Sequence, residues 1–260
     1  MEKKVVLITG ASSGIGLELS KMFIKKGYVV YGASRNEFSL EGLNHLKCDV
    51  SSSDQCKYVI NEIIRREGKI DILINNAGIG TSGSIENTSE EDAKKIFDVN
   101  FFGTFFMCKF ALPSLRQTKG RIVNVSSVAS KFFIPFQGFY SATKASVDAI
   151  SAAMRAETKP FKVKITNVRP GDTKTSFTKN RIKQDDGVYN ERYSSSISKM
   201  EKDEQNGMSS QYVAKKIFKV ATKRRPPKTL TIGVSYKFLL FLGKILPNNF
   251  VEWVISKMYS

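Results

Sequence analysis

Short apolar runs alternate along the chain with longer stretches in which apolar residues recur at helical spacing. The runs are rich in β-branched residues, which is typical of strands buried on both faces of a parallel sheet. The predicted strands are Val5–Ile8, Val29–Tyr31, Leu46–Lys47, Ile72–Ile74, Ile122–Val125, Ile165–Val168 and Leu230–Ile232, and the predicted helices span 16–26, 54–66, 89–117 and 138–158. This repetition predicts an α/β fold, a doubly wound parallel sheet with helices on both faces.

The pattern contains no internal repeat and no linker, so the 260 residues are predicted to form a single domain. It is interrupted at residues 172–208, which are polar and charged, with tyrosines interspersed. A segment of this length without a regular pattern is usually a lid or is disordered. Because it follows Arg169-Pro-Gly171 at the end of a predicted strand, we expect a substrate lid there.

Two helix entries carry capping signals. Thr88-Ser-Glu-Glu91 has the spacing of a capping box, with Glu91 three positions after Thr88. Asn248-Asn249 precedes an apolar run, and asparagine is a favoured residue at the N-cap. The spacing therefore predicts helix starts at both places.

The tail at 234–260 contains two short amphipathic segments, Val234–Leu246 and Phe250–Met258. In the second segment one helical stripe is formed by Phe250, Val251, Val254, Ile255 and Met258. Such a stripe usually packs on the core or on a partner subunit. The alternative is an apolar entrance to the substrate site. It would dock on anionic lipid through Lys237, Lys244 and the basic run 223–225. Both interpretations remain open.

The chain is basic, with 41 Lys and Arg against 24 Asp and Glu and a net charge of +17. Such a balance suits nucleic acid, an anionic membrane or an anionic ligand. The sequence shows no zinc-finger spacing, no RNP-like motif and no helix-turn-helix pattern, so we do not expect nucleic acid as a partner.

The cysteines and the lone histidine exclude several site classes. The three cysteines show no metal spacing, which favours reduced thiols in a cytoplasmic protein without a metal site. His45 lies in a short polar connection, which makes a Ser-His-Asp hydrolase unexpected. Neither a signal peptide nor an apolar stretch of about 18 residues is found.

The glycines Gly10, Gly14 and Gly16 lie between the first predicted strand and the first predicted helix. Glycine lets the backbone approach a ligand closely, and the N–H groups of a helix N-terminus attract a pyrophosphate. The spacing is neither that of the common dinucleotide fingerprint nor that of a P-loop, because no Lys follows. An ordinary tight turn is the alternative, but the context favours a nucleotide.

The residues after the second predicted strand bear on the identity of this nucleotide. NAD-binding loops place an acidic residue about 20 positions past the glycines to hold the ribose 2′-hydroxyl. This chain has Ser34 and Arg35 there, and an arginine would pair with a 2′-phosphate. We therefore predict NADP(H). Asp49 is predicted to meet the adenine amino group, and Asn75-Asn-Ala-Gly78 to allow close cofactor approach.

Tyr140 and Lys144 fall at the start of a predicted helix, and their spacing places them on one face. A free tyrosine has a pKa near 10, and a neighbouring ammonium would favour the phenolate and lower that pKa. Ser127 follows a predicted strand, and its hydroxyl could hold a carbonyl oxygen where alkoxide charge develops. These residues suit proton transfer coupled to carbonyl or alcohol chemistry. The alternative is a chance pair on the surface, which is what most isolated Tyr-x-x-x-Lys pairs are.

In order and spacing the motifs resemble the short-chain dehydrogenase/reductase family over residues 1 to about 175. The motifs are Thr9-Gly-Ala-Ser-Ser-Gly-Ile-Gly16, Asn75-Asn-Ala-Gly78, Asn100, Ser127, Tyr140-x-x-x-Lys144 and Pro170-Gly171. The resemblance implies a Rossmann-like fold with a seven-stranded parallel sheet, one nicotinamide cofactor and a homodimer or homotetramer. Ser13 stands where some NADP-preferring members carry a second basic residue.

The resemblance also implies roles for a catalytic tetrad. Tyr140 would be the acid/base, Ser127 would orient the carbonyl, Lys144 would hold the ribose and lower the tyrosine pKa, and Asn100 would anchor a relay water. The predicted cofactor-binding residues are Gly10, Ser12, Ser13, Gly14, Ile15, Gly16, Ser34, Arg35, Asp49, Val50, Asn76, Ala77, Gly78, Tyr140, Lys144, Pro170, Gly171, Thr173 and Thr175.

The basic, apolar tail resembles that of family reductases that act on sterols, retinoids or long acyl chains. We therefore expect a hydrophobic carbonyl compound or alcohol as substrate. Two alternatives belong to other classes. One is a non-catalytic NADP-sensing regulator, against which the intact Ser127, Tyr140 and Lys144 argue. The other is a lipid-binding protein of the membrane surface that uses the tail.

Overall fold

A seven-stranded, fully parallel sheet forms the centre of the computed structural model, which describes residues 3–178, 180–184 and 187–259. The strands are β1 (Val5–Thr9), β2 (Val29–Ser34), β3 (Leu43–Lys47), β4 (Ile72–Asn75), β5 (Arg121–Val125), β6 (Lys164–Pro170) and β7 (Thr229–Ile232). Their order across the sheet is β3-β2-β1-β4-β5-β6-β7. The order reverses between β1 and β4, which is where ligands bind in sheets of this type. The fold is the predicted Rossmann-like α/β domain.

Nine α-helices flank the sheet or extend from it in the described part of the chain. They are α1 (Gly14–Lys25), α2 (Ser53–Glu67), α3 (Glu90–Phe97), α4 (Gly103–Thr118), α5 (Gly138–Glu157), α6 (Asn190–Gln205), α7 (Ser210–Thr222), α8 (Val234–Ile245) and α9 (Asn248–Met258).

The sheet buries both of its faces, because alternate residues of each strand point to opposite sides. Leu7 and Tyr31 belong to the core cluster that also contains buried residues of α2 and α4. Val6 and Ile8 belong to the cluster on the other side, with buried residues of α1 and α7. Two helical layers therefore hold the strand ends, and the loops that follow them, in fixed positions.

The predicted helix 89–117 is in fact two helices joined by a π-helical turn, Asp98–Phe102. Its entry also lies one residue later than predicted: Ser89 is the N-cap and accepts from the Asp92 N–H at 3.1 Å. By length and composition alone the run Glu90–Thr118 could cross a membrane. In this structure its last helix, α4, buries Met107 and Leu115 in the core.

The predicted lid at 172–208 contains regular structure. It includes α6 and two short strand pairings, Thr173–Lys174 with Met208–Ser209 and Thr81–Ser82 with Ile182–Lys183. Residues 179, 185 and 186 of the lid lie outside the described residues. The first pairing joins the two ends of the lid to each other, and the second joins an internal strand of the lid to the segment that follows β4.

The tail forms α8 and α9, as its pattern predicts. The N-cap of α9 is Pro247, without a side-chain cap, so the predicted cap at Asn248-Asn249 is wrong; both residues are helical. On the predicted stripe Phe250 is 47% exposed, whereas Val251, Val254 and Ile255 are half-buried, and the side chain of Met258 lies outside the described residues.

Candidate active site

A cavity of about 510 Å³ opens at the carboxyl ends of the parallel strands. The predicted residues that line it are Gly10, Ser12, Ser13, Gly14, Ile15, Ser34, Arg35, Asp49, Val50, Asn76, Ala77, Gly78, Ser127, Tyr140, Lys144, Pro170, Gly171, Thr173 and Thr175. Gly16 and Asn100 are the predicted site residues that do not line it. The structure therefore gathers nearly the whole predicted set in one place.

The glycine loop is shaped by close backbone contacts. Gly10 has φ +65°, and a Cβ there would lie 3.0 Å from the Ala77 Cα. A Cβ at Gly16 would stand 2.1 Å from the Gly10 carbonyl oxygen. Gly16 thus lets α1 approach the loop closely, and its predicted contact with the cofactor stays a prediction.

The N-terminus of α1 is open to an anion. Its N-cap, Ser13, makes no side-chain cap hydrogen bond, and the first turn carries no acidic residue. The free N–H groups and the positive end of the helix dipole therefore suit a pyrophosphate. Above the loop, the Ser176 hydroxyl lies 3.4 Å from that of Ser13. These features fit the nicotinamide dinucleotide that the fold implies.

The strand β2 ends at Ser34 and Arg35. Arg35 is exposed and lines the cavity, and its predicted contact with a 2′-phosphate stays a prediction. The Ser34 hydroxyl is already engaged: it donates to the Asn36 carbonyl at 2.8 Å and lies 2.9 Å from His45 Nε2. His45, for which the sequence predicted no catalytic role, therefore contacts and helps to fix the residue beside Arg35.

Asp49 is braced as well. Its Oδ1 accepts from the backbone N–H of Ser51 at 3.0 Å and from the Ser51 hydroxyl at 2.7 Å. Thr173 and Thr175, on the other side of the cavity, also make local bonds: Thr173 donates to the Gly171 carbonyl, and Thr175 accepts from the Phe177 N–H. Each of these side chains has a fixed orientation at the cavity wall.

The helix α5 places Tyr140 and Lys144 on one face, and Lys144 Nζ is 5.7 Å from the centroid of the Tyr140 ring. Lys144 donates to the Val125 carbonyl at 3.0 Å, and burial lowers its pKa to about 8. Burial raises the pKa of Tyr140 to about 12, although a hydrogen bond with Ser127 opposes the rise. Burial is the largest influence on the phenol, so the net shift of its pKa is upward, and the lowering predicted from Lys144 together with a nicotinamide cation stays a prediction.

A buried carboxylate fixes α5 against the sheet. Asp148 accepts from the Ser130 hydroxyl at 2.7 Å, from Asn167 at 2.8 Å and from Arg169 Nε at 2.8 Å. These partners lie after β5 and on β6, so the bonds set the position of α5 relative to two strand ends. Sequence reasoning did not identify this anchor.

Asn100 lies on the π-helical turn and is buried. Its side chain accepts from the Ile79 N–H at 2.8 Å and donates to the Ile79 carbonyl at 2.9 Å and to Thr143 at 3.2 Å. With those contacts it holds the backbone just after Gly78. In this structure Asn100 is a positioning residue for the loop after β4, and its predicted contact with a relay water stays a prediction.

The part of the cavity that extends from Tyr140 past Phe177 to Arg181, which we call the substrate side, is lined by residues that sequence reasoning missed. They are Ile134, Gln137, Asp172, Phe177, Arg181, Met200, Glu204 and Tyr259. Asp172 directly follows Pro170-Gly171, so its position in that motif was an available signal. Arg181 and Glu204 lie on separate segments and meet only in the fold, which no local pattern reveals.

Comparisons with known proteins agree with this geometry. A sequence model described as short chain dehydrogenase matches residues 4–186. The chain is 36% identical to a 3-ketodihydrosphingosine reductase of Bacteroides thetaiotaomicron, with 100% of this chain and 99% of the relative covered.

Solved structures share the fold. A short-chain dehydrogenase from Streptomyces avermitilis superposes with a TM-score of 0.85 at 26% identity, covering 96% of each chain. The structure of ElxO with NADP bound superposes with a TM-score of 0.76 at 30% identity, covering 91% of this chain and 99% of that one. The resemblance drawn from the motifs is confirmed.

Proposed function

The chain belongs to the short-chain dehydrogenase family of oxidoreductases, and on that premise we propose that it catalyses NADP(H)-dependent reduction of a hydrophobic, lipid-like ketone. The observation that carries the proposal is the meeting of Ser127, Tyr140 and Lys144 in the cavity that starts at the glycine loop. A non-catalytic NADP sensor would have no need of this arrangement. Steroid and retinoid ketones are further members of the same substrate class.

The side chains would divide the work as follows. A nicotinamide cofactor supplies the hydride when it is bound. Ser127 positions the carbonyl oxygen, and Tyr140, which keeps its proton because of its raised pKa, donates that proton to the oxygen as alkoxide charge develops. Lys144 would bind the nicotinamide ribose. General acid catalysis of this kind contributes about 10²–10⁴-fold to a rate.

NADP(H) is favoured over NAD(H) by charge. Arg35 is the exposed cation at the end of β2, and it can pair bidentately with a 2′-phosphate. The similarity to ElxO with NADP bound supports the same choice. We place the protein in the cytoplasm, where a reduced NADP pool would drive the reaction toward the alcohol.

The direct test is the initial rate of NADPH oxidation over ketones of increasing apolarity, from short ketones to keto-steroids and long-chain keto lipids. NADH and the Tyr140→Phe protein serve as controls. We expect turnover that rises with apolarity, prefers NADPH and is lost in Tyr140→Phe. Cofactor binding without turnover of any ketone would instead favour the sensor.

A second property is favoured by the exposure of α8 and α9. Val234, Phe238, Phe241 and Ile245 are each 59% exposed or more, and Trp253 is 56% exposed. Between residues 210 and 260 the chain has ten Lys and Arg and one acidic residue. Apolar surface beside positive charge suits an anionic bilayer, so we propose peripheral docking of this surface on anionic lipid.

Vesicle co-sedimentation tests the docking. The protein should pellet with vesicles containing phosphatidylglycerol at low salt and be released by high salt, because the charge term is screened. Phe241→Ser should weaken pelleting, whereas Tyr58→Ser, at a side chain 60% exposed on α2, is the matched control. No pelleting at low salt would discard the docking.

We also propose a homodimer or homotetramer built through α4 and α5. Phe102 and Phe105 are 40% and 39% exposed on the surface around α4, which leaves aromatic area for a second copy. Light scattering gives the mass in solution, and a monomer would overturn this expectation.

A further inference from the structure

A charged cluster that the proposed chemistry does not use lies at the substrate side of the cavity. It consists of Asp172, Arg181 and Glu204, all of which line the cavity. The Phe177 ring spans from the reacting end to this cluster: its centroid is 5.6 Å from that of Tyr140 and 5.9 Å from Arg181 Cζ. A polar group bound at the cluster would therefore lie close to the carbonyl beside Tyr140.

The guanidinium of Arg181 has donors to spare. Its side chain is 1% exposed, and its Nη2 forms an ion pair with Glu204, which also accepts from the Thr178 hydroxyl. Within the described part of the chain, Nε and Nη1 of Arg181 are buried without a hydrogen-bond partner. A buried donor without a partner has lost its hydrogen bond to water without replacement, so the site has a deficit that an acceptor oxygen of a ligand would remove.

Asp172 has the opposite deficit. Its carboxylate accepts from the Tyr236 hydroxyl, which is a neutral partner. Burial raises the pKa of Asp172, and the nearby charge of Glu204 adds to the rise. Two carboxylates face one guanidinium in this cluster, which leaves an excess of one negative charge. A cationic group of a ligand would balance that excess.

We propose that Asp172, Glu204 and Arg181 bind the polar end of an amino-alcohol ketone. A protonated amine next to the ketone is received by the Asp172 and Glu204 carboxylates, and a neighbouring hydroxyl oxygen accepts from Arg181. This assignment rests on the proposed ketone reduction and specifies its substrate class. An anionic head group, by contrast, would satisfy Arg181 but meet the excess negative charge.

Calorimetric binding tests the assignment without relying on turnover. The protein saturated with NADP⁺ is titrated with a medium-chain 2-amino-1,3-diol and with the matching 1,3-diol that lacks the amine. A charge-assisted hydrogen bond contributes about 1.5–3 kcal/mol, so the amine should bind roughly tenfold tighter or more. Replacing the terminal hydroxyl of the amino diol by hydrogen should weaken binding roughly tenfold, because it removes the oxygen that accepts from Arg181.

Variants then locate the preference. Asp172→Asn and Glu204→Gln should each reduce the ratio between the two diols strongly. Glu201→Gln is the matched control: Glu201 lies on the same helix as Glu204, pairs with Lys183 and does not line the cavity. Thermal unfolding of each variant identifies any that fails to fold. A merely structural role would weaken both diols equally and leave their ratio unchanged.

Each outcome is decisive. Equal affinities for the two diols, a ratio preserved in both carboxylate variants, or no binding of either diol overturns the assignment. Reduction of neutral ketones without an amine preference would overturn it while leaving the proposed function intact. An amine preference in binding, lost in the variants but accompanied by no turnover of any ketone, would support the assignment and overturn the proposed function.

Discussion

The helices α1 and α8 are both 12 residues long and amphipathic, but α1 is packed into the core and α8 is not. In α1, Leu19 and Phe23 are fully buried against the sheet. In α8 no residue is buried, and Phe238 and Phe241 are 60% and 59% exposed. An amphipathic pattern therefore identifies a helix but does not determine what covers its apolar side.

The two helices also serve different parts of the cavity. α1 presents backbone N–H groups beside a glycine loop, where the requirement is for small residues and close approach. α8 contributes a side chain, Tyr236, which donates to Asp172 near the substrate end. We conclude that the glycine-loop end of the cavity is built largely from backbone, whereas the end near Asp172 is built from side chains.

The largest expected effect comes from removing one tyrosine hydroxyl, and it should differ between Tyr140 and Tyr236. Tyr140→Phe should lower kcat by about 10²–10⁴-fold, because it removes the proposed proton donor. Tyr236→Phe removes a hydroxyl that holds Asp172 and should act mainly on KM, by roughly tenfold or less. Steady-state kinetics on one ketone measures both. A kcat loss of similar size in both variants would abolish the proposed division of roles.

The pH dependence of stability gives the next largest effect. In the folded chain burial lowers the pKa of Lys144 to about 8, whereas the unfolded chain keeps this proton up to about 10.5. Between these values the unfolded state binds more protons, so stability rises with pH, by as much as about 3 kcal/mol. We measure the free energy of unfolding of the wild type and of Lys144→Met with denaturant. The wild-type value minus the Lys144→Met value should increase from about pH 8 upward.

Lys237→Met, at an exposed lysine of α8, is the control for removing a lysine from the chain. If the gap between wild type and Lys144→Met stays flat across the window, the buried ammonium does not titrate as described.

The same contrast explains what the sequence could predict. The central strands follow from continuous apolar runs. Ser127 follows the end of β5, Tyr140 and Lys144 lie in the first two turns of α5, and the fold brings these positions together at the cavity. The π-helical turn around Asn100 was not predictable from the apolar period, because it is selected by tertiary bonds to Ile79.

The substrate side was less predictable. Arg181 and Glu204 are separated by 23 positions, and the folding of the lid brings them together. In the sequence the lid is a polar segment without a regular pattern. The helix entry at Ser89 was misplaced by one residue because Thr88 bonds instead to the Ser84 carbonyl. Polar pairings of this kind depend on which segments meet, and the periodicity of a single segment does not contain that information.

Glycine-to-alanine substitutions compare α1 and α8 through a smaller effect, a change in the free energy of unfolding. Gly16→Ala should lower the free energy of unfolding by about 1–3 kcal/mol or more, because its Cβ would collide with the Gly10 carbonyl oxygen. Gly243→Ala in α8 faces only the flexible Phe132 ring at 3.1 Å and gains helix propensity, so it should be nearly neutral. Denaturant unfolding decides, and equal losses would contradict the backbone account of the glycine loop.

The smallest expected effect concerns the cofactor phosphate. Arg35→Asp replaces the cation at the end of β2 by a carboxylate, which would repel a 2′-phosphate and favour a ribose hydroxyl. The ratio of kcat/KM for NADPH over NADH should fall by about tenfold or more, enough to turn the preference toward NADH. Lys47→Asp makes the same charge change on β3 outside this cavity and should leave the ratio near its wild-type value. A ratio that does not move in Arg35→Asp would show that Arg35 does not contact the phosphate. A ratio that moves equally in both variants would show that general positive charge sets the preference.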